Sequence, residues 1–146
     1  MLSFGAHPIP FVTHLGFTLH KMEGGASELH YTARSEHLNT FDVTHGGASM
    51  TLLDVAMAVA ARSLVSDDWG CVTIEMKTSF MQPARGALVA QGLVLHRTKT
   101  MAYCEAKIYD STGRLCTHAT GTFKYMPRTT QPGSVEGELK TVVATD

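Results

Sequence analysis

No run of apolar residues in this chain approaches the ~20 needed to cross a bilayer, and the N-terminus has no charged segment leading into an apolar core. Neither a membrane anchor nor a signal peptide is therefore expected. An excess of one charge sign is also missing. Twelve Lys and Arg stand against 13 Asp and Glu, a net charge of −1, and the basic residues are scattered, which argues against nucleic acid as the main partner. Cysteine is scarce: Cys71, Cys104 and Cys116 are odd in number and widely spaced, which suits a reducing, cytosolic compartment and not a disulfide scaffold. No CxxC or HxxxH spacing occurs, and His37, His96 and His118 form no convincing metal set, so no metal is expected. There is no internal repeat and no alternation of strand with helix, which sets aside a parallel doubly wound sheet.

What is present is one domain's worth of ordinary globular composition. A chain of 146 residues, 44% apolar and 17% charged, can bury a single core but not two. Phe11 to Gly16 reads as a short turn and Phe17–Met22 as a strand. Glu23-Gly24-Gly25 is hairpin chemistry, returning the chain into Ala26–Thr32. A polar loop from Ala33 to Thr44 precedes a long helix from Gly47 to about Ser63, rich in Ala, Leu and Met. Its small residues lie on several faces, as expected of a helix surrounded by protein.

Beyond the Asp67–Gly70 turn the pattern changes to strands. Cys71–Met81 alternates, with Val72, Ile74, Met76, Thr78 and Phe80 on one face and Thr73, Glu75, Lys77 and Ser79 on the other. Ala87–His96, Met101–Tyr109 and Arg114–Tyr125 follow, joined by turns at Pro83–Gly86, Arg97–Thr100 and Asp110–Gly113; Gly92 is read as a bulge or tight bend. Hairpin-linked strands make an antiparallel sheet, one face of which can wrap the lone helix: an α+β architecture of five to six strands around one long central helix. The domain is expected to span residues 1–126. Residues 127–146, rich in Thr, Gly and Pro, read as a mobile tail.

Chemistry concentrates at His45-Gly46-Gly47 and the helix behind it. Such a turn aims unpaired backbone N–H groups outward, where they can hold a developing oxyanion. Asp54 is the one acid in the run Met50–Ala61, where a charge is costly unless it has a partner or a task. Asn39 lies in the preceding loop, and Thr73 points opposite to Val72 and Ile74, towards either the helix or solvent.

Asn39, the His45-Gly46-Gly47 turn, Asp54 and the strand Val72–Met76, in this order, resemble the hotdog-fold acyl-CoA thioesterases, closest to the phenylacetyl-CoA and 4-hydroxybenzoyl-CoA thioesterase branch. The resemblance covers roughly residues 10 to 126. It implies hydrolysis of a medium-chain or aromatic acyl-CoA, no metal or organic cofactor, and a homodimer or homotetramer with sites at the subunit interface. By analogy Gly47 or Gly46 supplies the oxyanion N–H, Asp54 is nucleophile or general base, Asn39 and Thr73 position water or substrate, and His45 fixes the turn or moves a proton. Arg97, Lys99 and Arg128 are candidates for the CoA phosphates.

Geometry supports the interface independently. Gly46 and Asp54 are eight residues apart, about 12 Å along one helix at 1.5 Å per residue. One thioester carbonyl cannot feel both groups, whereas two antiparallel helices from two subunits could bring the amide end of one to the acid of the other. The alternatives are a non-catalytic acyl-CoA-binding hotdog module, which could dispense with Asp54, and an enoyl-thioester hydratase or dehydratase. The latter typically carries His-Phe-Pro or Asp-x-Asn-Pro-x-His, and neither is present.

Overall fold

A computed structural model of the chain describes residues 1–128 apart from His7. Six strands form one antiparallel sheet: β1 (Thr18–Glu23), β2 (Ala26–Thr32), β3 (Trp69–Phe80), β4 (Ala87–Arg97), β5 (Met101–Tyr109) and β6 (Leu115–Pro127). Their spatial order is β1-β2-β4-β5-β6-β3, so β1 and β3 are the edges. A short helix α1 (Pro10–Leu15) precedes β1, and the long helix α2 (Gly46–Arg62) lies across the sheet, touching all six strands. This is the expected α+β hotdog architecture. β6 runs to Pro127, and the rest of the expected tail, residues 129–146, lies outside the described residues.

Several local expectations need correction. The turn expected at Phe11–Gly16 is α1, which Pro10 opens with its preset φ and Gly16 closes at φ 82, with its N–H on Val12 and Thr13. Six residues are too few to display a helical period. The strict alternation expected along β3 is interrupted by a bulge at Ile74: Thr73 pairs with Phe123 and Glu75 with Thr122. The extra residue reverses the phase, so Thr73 shares the helix-facing side with Met76, Thr78 and Phe80.

Gly92 is not a bulge either. It is regular in both ladders, opposite Ser27 and Ala106, and the irregularity of β4 falls between Val94 and His96. Gly92 instead lets α2 sink onto the sheet: a Cβ there would strike the Ala56 carbonyl and the Ser27 hydroxyl. Ser27 Oγ donates to that same carbonyl at 2.6 Å, and Tyr125 Oη donates to Ala61 O at 2.7 Å. Leu52, Leu53, Ala56, Met57, Val59, Ala60 and Ala61 are consequently buried almost completely. The helix is not enclosed on all sides, however. Gly47, Met50, Asp54, Ala58 and Arg62 recur every three or four residues, and none of them is buried.

We predict that Gly92→Ala destabilises the fold by about 1–3 kcal/mol or more, because a well-packed contact must open. A thermal melt should record a loss of several degrees in Tm; an unchanged Tm would mean that the close approach carries no energetic weight.

Candidate active site

The sequence His45-Gly46-Gly47 folds as the N-terminal cap of α2. His45 N–H donates to His37 O at 2.9 Å, anchoring the turn to the preceding loop. His45 O accepts from Ala48 and Ser49 N–H (2.9 and 3.1 Å), and His45 Nδ1 accepts from Gly47 N–H at 2.8 Å. Three of the four N–H groups in the first turn are therefore engaged by His45. Gly46 N–H has no partner among the described residues. The two glycines, interchangeable in the sequence, thus differ: Gly47 is capped and Gly46 is open. Because Nδ1 accepts, the neutral His45 ring carries its proton on Nε2.

Gly46 opens into a cleft of ≈ 550 Å³ walled by Asn39, Phe41, Val43, Phe80, Met81 and Ala84, among others. The ring of Phe80 stands over Gly46, with a ring carbon 3.3 Å from where a Cβ would lie. Asn39 Oδ1 accepts from Phe41 N–H (2.9 Å) and Val43 N–H (3.3 Å), so its acceptor shapes the loop, while its amide NH2 has no partner among the described residues. The hydroxyl of Thr44, on the same wall, is buried without a hydrogen bond.

Asp54 lies two turns further along α2. The phase reversal at Ile74 brings Thr73 Oγ1 within 2.6 Å of Asp54 Oδ1, as a donor. Burial raises the Asp54 pKa above its ordinary 3.8, and the Thr73 hydroxyl partly offsets this by stabilising the carboxylate. The nearby Cys71 thiol donates to Ala58 O at 3.6 Å, and burial pushes it up to about 12, as it does the Cys104 thiol. Neither supplies a thiolate nucleophile at neutral pH.

The structure thus gathers the expected residues into two groups and keeps them apart. Asn39, His45 and Gly46 occupy the N-terminal end of α2; Asp54 and Thr73 sit eight residues on, about 12 Å along the axis. The expected cations lie elsewhere. Arg97 donates to Leu64 O and Thr98 O and stacks 4.9 Å from the Tyr125 ring centre, while Arg128 donates to Trp69 O; Leu64 just follows the C-terminal end of α2. Lys99 is exposed in the β4–β5 turn. Phe41, Phe80 and Arg85, which line the cleft, carried no signal in the sequence: Phe80 read as one position of an alternating strand and Arg85 as part of a turn. His118 pairs with Glu105 at 2.8 Å, and no group of three or more His, Cys, Asp or Glu among the described residues could hold a metal.

Comparison with known proteins identifies the family. Residues 41–117, more than half of the chain, match the family model described as the thioesterase superfamily. A candidate esterase of Saccharolobus solfataricus is 30% identical over 109 residues, covering 74% of this chain and 76% of that protein. Among solved structures, a candidate thioesterase of Ralstonia eutropha, related to phenylacetic acid degradation, superposes with a TM-score of 0.75 at 25% identity, over 82% of this chain and 93% of its own. The Escherichia coli PaaI protein, from the phenylacetic acid degradation operon, gives 0.76 at 22% identity, over 83% and 87%, which speaks to the fold. The chain belongs to the thioesterase superfamily and is a hotdog-fold thioester hydrolase.

Proposed function

We propose that the protein hydrolyses a medium-chain or aromatic acyl-CoA to the free acid and CoA, at two sites that each draw on two subunits. The observation that carries this reading is the separation of an open oxyanion-type N–H at Gly46 from a half-buried, hydroxyl-bonded carboxylate at Asp54 on one rigid helix. A dimer with its helices antiparallel would set Gly46 of each subunit opposite Asp54 of the other. The two-fold axis would then pass near residue 50, midway between them, where Met50 is the exposed large apolar residue of α2. On β3, Phe80 lies over Gly46 and Thr73 on Asp54, so the same axis would cross that strand near residues 76–77. β3 is a 12-residue edge with Trp69, Ile74 and Phe80 exposed, and pairing it with its symmetry mate would cover it. Two such pairs forming a tetramer follow from the family resemblance.

In this arrangement the acyl group occupies the aromatic-walled cleft. Its carbonyl oxygen accepts from Gly46 N–H as negative charge develops there. Asp54 of the facing subunit either removes a proton from water as it attacks the carbonyl carbon, or attacks that carbon itself to give an anhydride that water opens. Either route breaks the C–S bond and releases CoA, whose thiolate takes up a proton. Thr73 orients the carboxylate, Asn39 presents its amide NH2 to substrate or water, and His45 holds the turn. Lys99, Arg97 and Arg128 attract the CoA phosphates from the other end of the helix. Three free thiols fit residence in the reducing cytosol.

Release of free thiol from a panel of acyl-CoAs tests the reaction. Asp54→Asn should lower kcat on the best substrate by about 10²- to 10⁴-fold, the usual worth of acid–base catalysis. The same variant should melt no lower than wild type at neutral pH. With its folded pKa raised above the unfolded 3.8, Asp54 contributes stability only while protonated, and that contribution is lost as pH rises through the folded value. Wild-type turnover by Asp54→Asn would end the catalytic assignment, and a large drop in Tm would show that the charge is structural.

Thr73→Val removes the one contact that lowers the Asp54 pKa. The acid limb of its kcat/KM profile should move to higher pH, with a loss at the plateau of about tenfold. An unmoved limb would separate Thr73 from the ionisation that matters.

A further inference from the structure

The loop between β3 and β4, residues 81–86, is held from two sides. Met81 and Gln82 N–H both donate to Cys116 O, at 2.9 and 3.1 Å, and Ala84, itself buried, accepts Thr44 N–H on its carbonyl at 3.0 Å. Thr44 immediately precedes the His45-Gly46 turn, so this bond fixes the loop against the open end of α2. Gly86 then turns the chain away at φ 64. Arg85 directly follows the second anchor, with its side chain exposed on the wall of the cleft that also contains Gly46 and Asn39.

The other five arginines of the chain all have work for their guanidinium groups. Arg34 pairs with Glu36, Arg62 donates to Phe4 O, Arg97 to Leu64 O, Arg114 to Asp110 and Arg128 to Trp69 O. Arg85 makes no hydrogen bond or ion pair with any described residue, and no aspartate or glutamate lines its cleft. The cleft is thus positive from two directions, since the α2 N-terminus with its open Gly46 N–H contributes the helix dipole at the same place. Its remaining walls are largely apolar (Phe41, Val43, Phe80, Pro83, Ala84), so they offer an entering anion no competing charge.

We propose that Arg85 is a substrate-binding residue that pairs, through its guanidinium fork, with an oxyanion of the thioester substrate. This rests on the thioesterase reading for the identity of the ligand, but not for the existence of the anion site. Two parts of a substrate offer the required chemistry: the phosphates of CoA, and a carboxylate carried by the acyl group itself. Arg97 and Arg128 lie near the far end of α2, where they donate to backbone carbonyls, and do not reach an anion in this cleft.

Four thioesters separate the two sources: a neutral acyl group on CoA, the same acyl on pantetheine, which lacks the nucleotide and its phosphates, and an ω-carboxyacyl group of matched length on each carrier. Arg85→Gln should lose about tenfold or more in kcat/KM on one anion-bearing series and nothing on the neutral acyl-pantetheine. Loss on both CoA substrates assigns the phosphates, and loss on both ω-carboxyacyl substrates assigns the acyl carboxylate. Arg85→Lys should recover part of the loss, and added salt should bring wild type towards the Gln variant. Equal kcat/KM for wild type and Arg85→Gln on all four substrates, or an equal fall on all four including neutral acyl-pantetheine, overturns the proposal. If the wild type hydrolyses none of them, the thioesterase reading fails instead. The four compounds are then stable ligands, and the same pattern of loss or its absence is read from their Kd by calorimetry.

Discussion

The seating of α2 on the sheet rests on a place where there is no side chain. At Gly92 the backbone of β4 approaches the Ala56 carbonyl so closely that even a methyl group would collide with it, and Ser27 from β2 binds the same oxygen. Depth matters here because every functional contact is measured from the helix. Thr73 meets Asp54 at 2.6 Å, Phe80 covers Gly46, and Tyr125 holds the carbonyl of Ala61. A helix raised by the thickness of a Cβ would loosen each of these contacts at once. Core packing and site geometry are in this sense a single constraint, and close-packed interiors transmit such shifts with little damping.

The second constraint is electrostatic. Asp54 is the one carboxylate on a helix built mostly of small and apolar residues, and its partial burial favours the protonated form. A folded domain tolerates that cost when the charge is used, and Thr73 reduces it without removing it. Gly46 is the complementary case, a polar group left without a partner at the positive end of the same helix. One group seeks negative charge and the other carries it, yet the rigidity of α2 keeps them about 12 Å apart. The stripe Gly47, Met50, Asp54, Ala58 and Arg62, left open by the chain's own sheet, is the surface along which a second copy would bring them together.

Much of this was legible in the sequence because it is written in periodic or local signals. The hairpin glycines, the succession of turn-linked later strands, the long small-residue helix and its single acid all survive in the structure. What was not legible depends on contacts between distant segments. The bulge at Ile74 leaves no trace in an alternating string, yet it turns Thr73 towards Asp54. Gly92 looked like a bend because a glycine in a strand does not reveal what approaches it. Gly46 and Gly47 were equivalent until the His45 ring was seen to occupy one of their N–H groups. Arg85 was hidden in a turn, while Arg97 and Arg128, the more obvious cations, turned out to bind carbonyls near the opposite end of the helix.

The central claim is that each site is built from Gly46 of one subunit and Asp54 of another. It is tested most directly by mixing two inactive variants, Asp54→Ala and Gly46→Pro. Proline removes the open N–H at the first helical position, where it is well tolerated, and places a Cβ beside the Phe80 ring; His45 at φ −58, ψ 138 already has the extended backbone that a residue before proline requires. Gly46→Ala, which keeps the N–H, serves as the control. After subunit exchange, half of randomly reassorted dimers are hybrids carrying one intact site of two, so about one quarter of the wild-type activity should return. Verified hybrids that remain inactive would contradict the shared site and require each chain to complete its own.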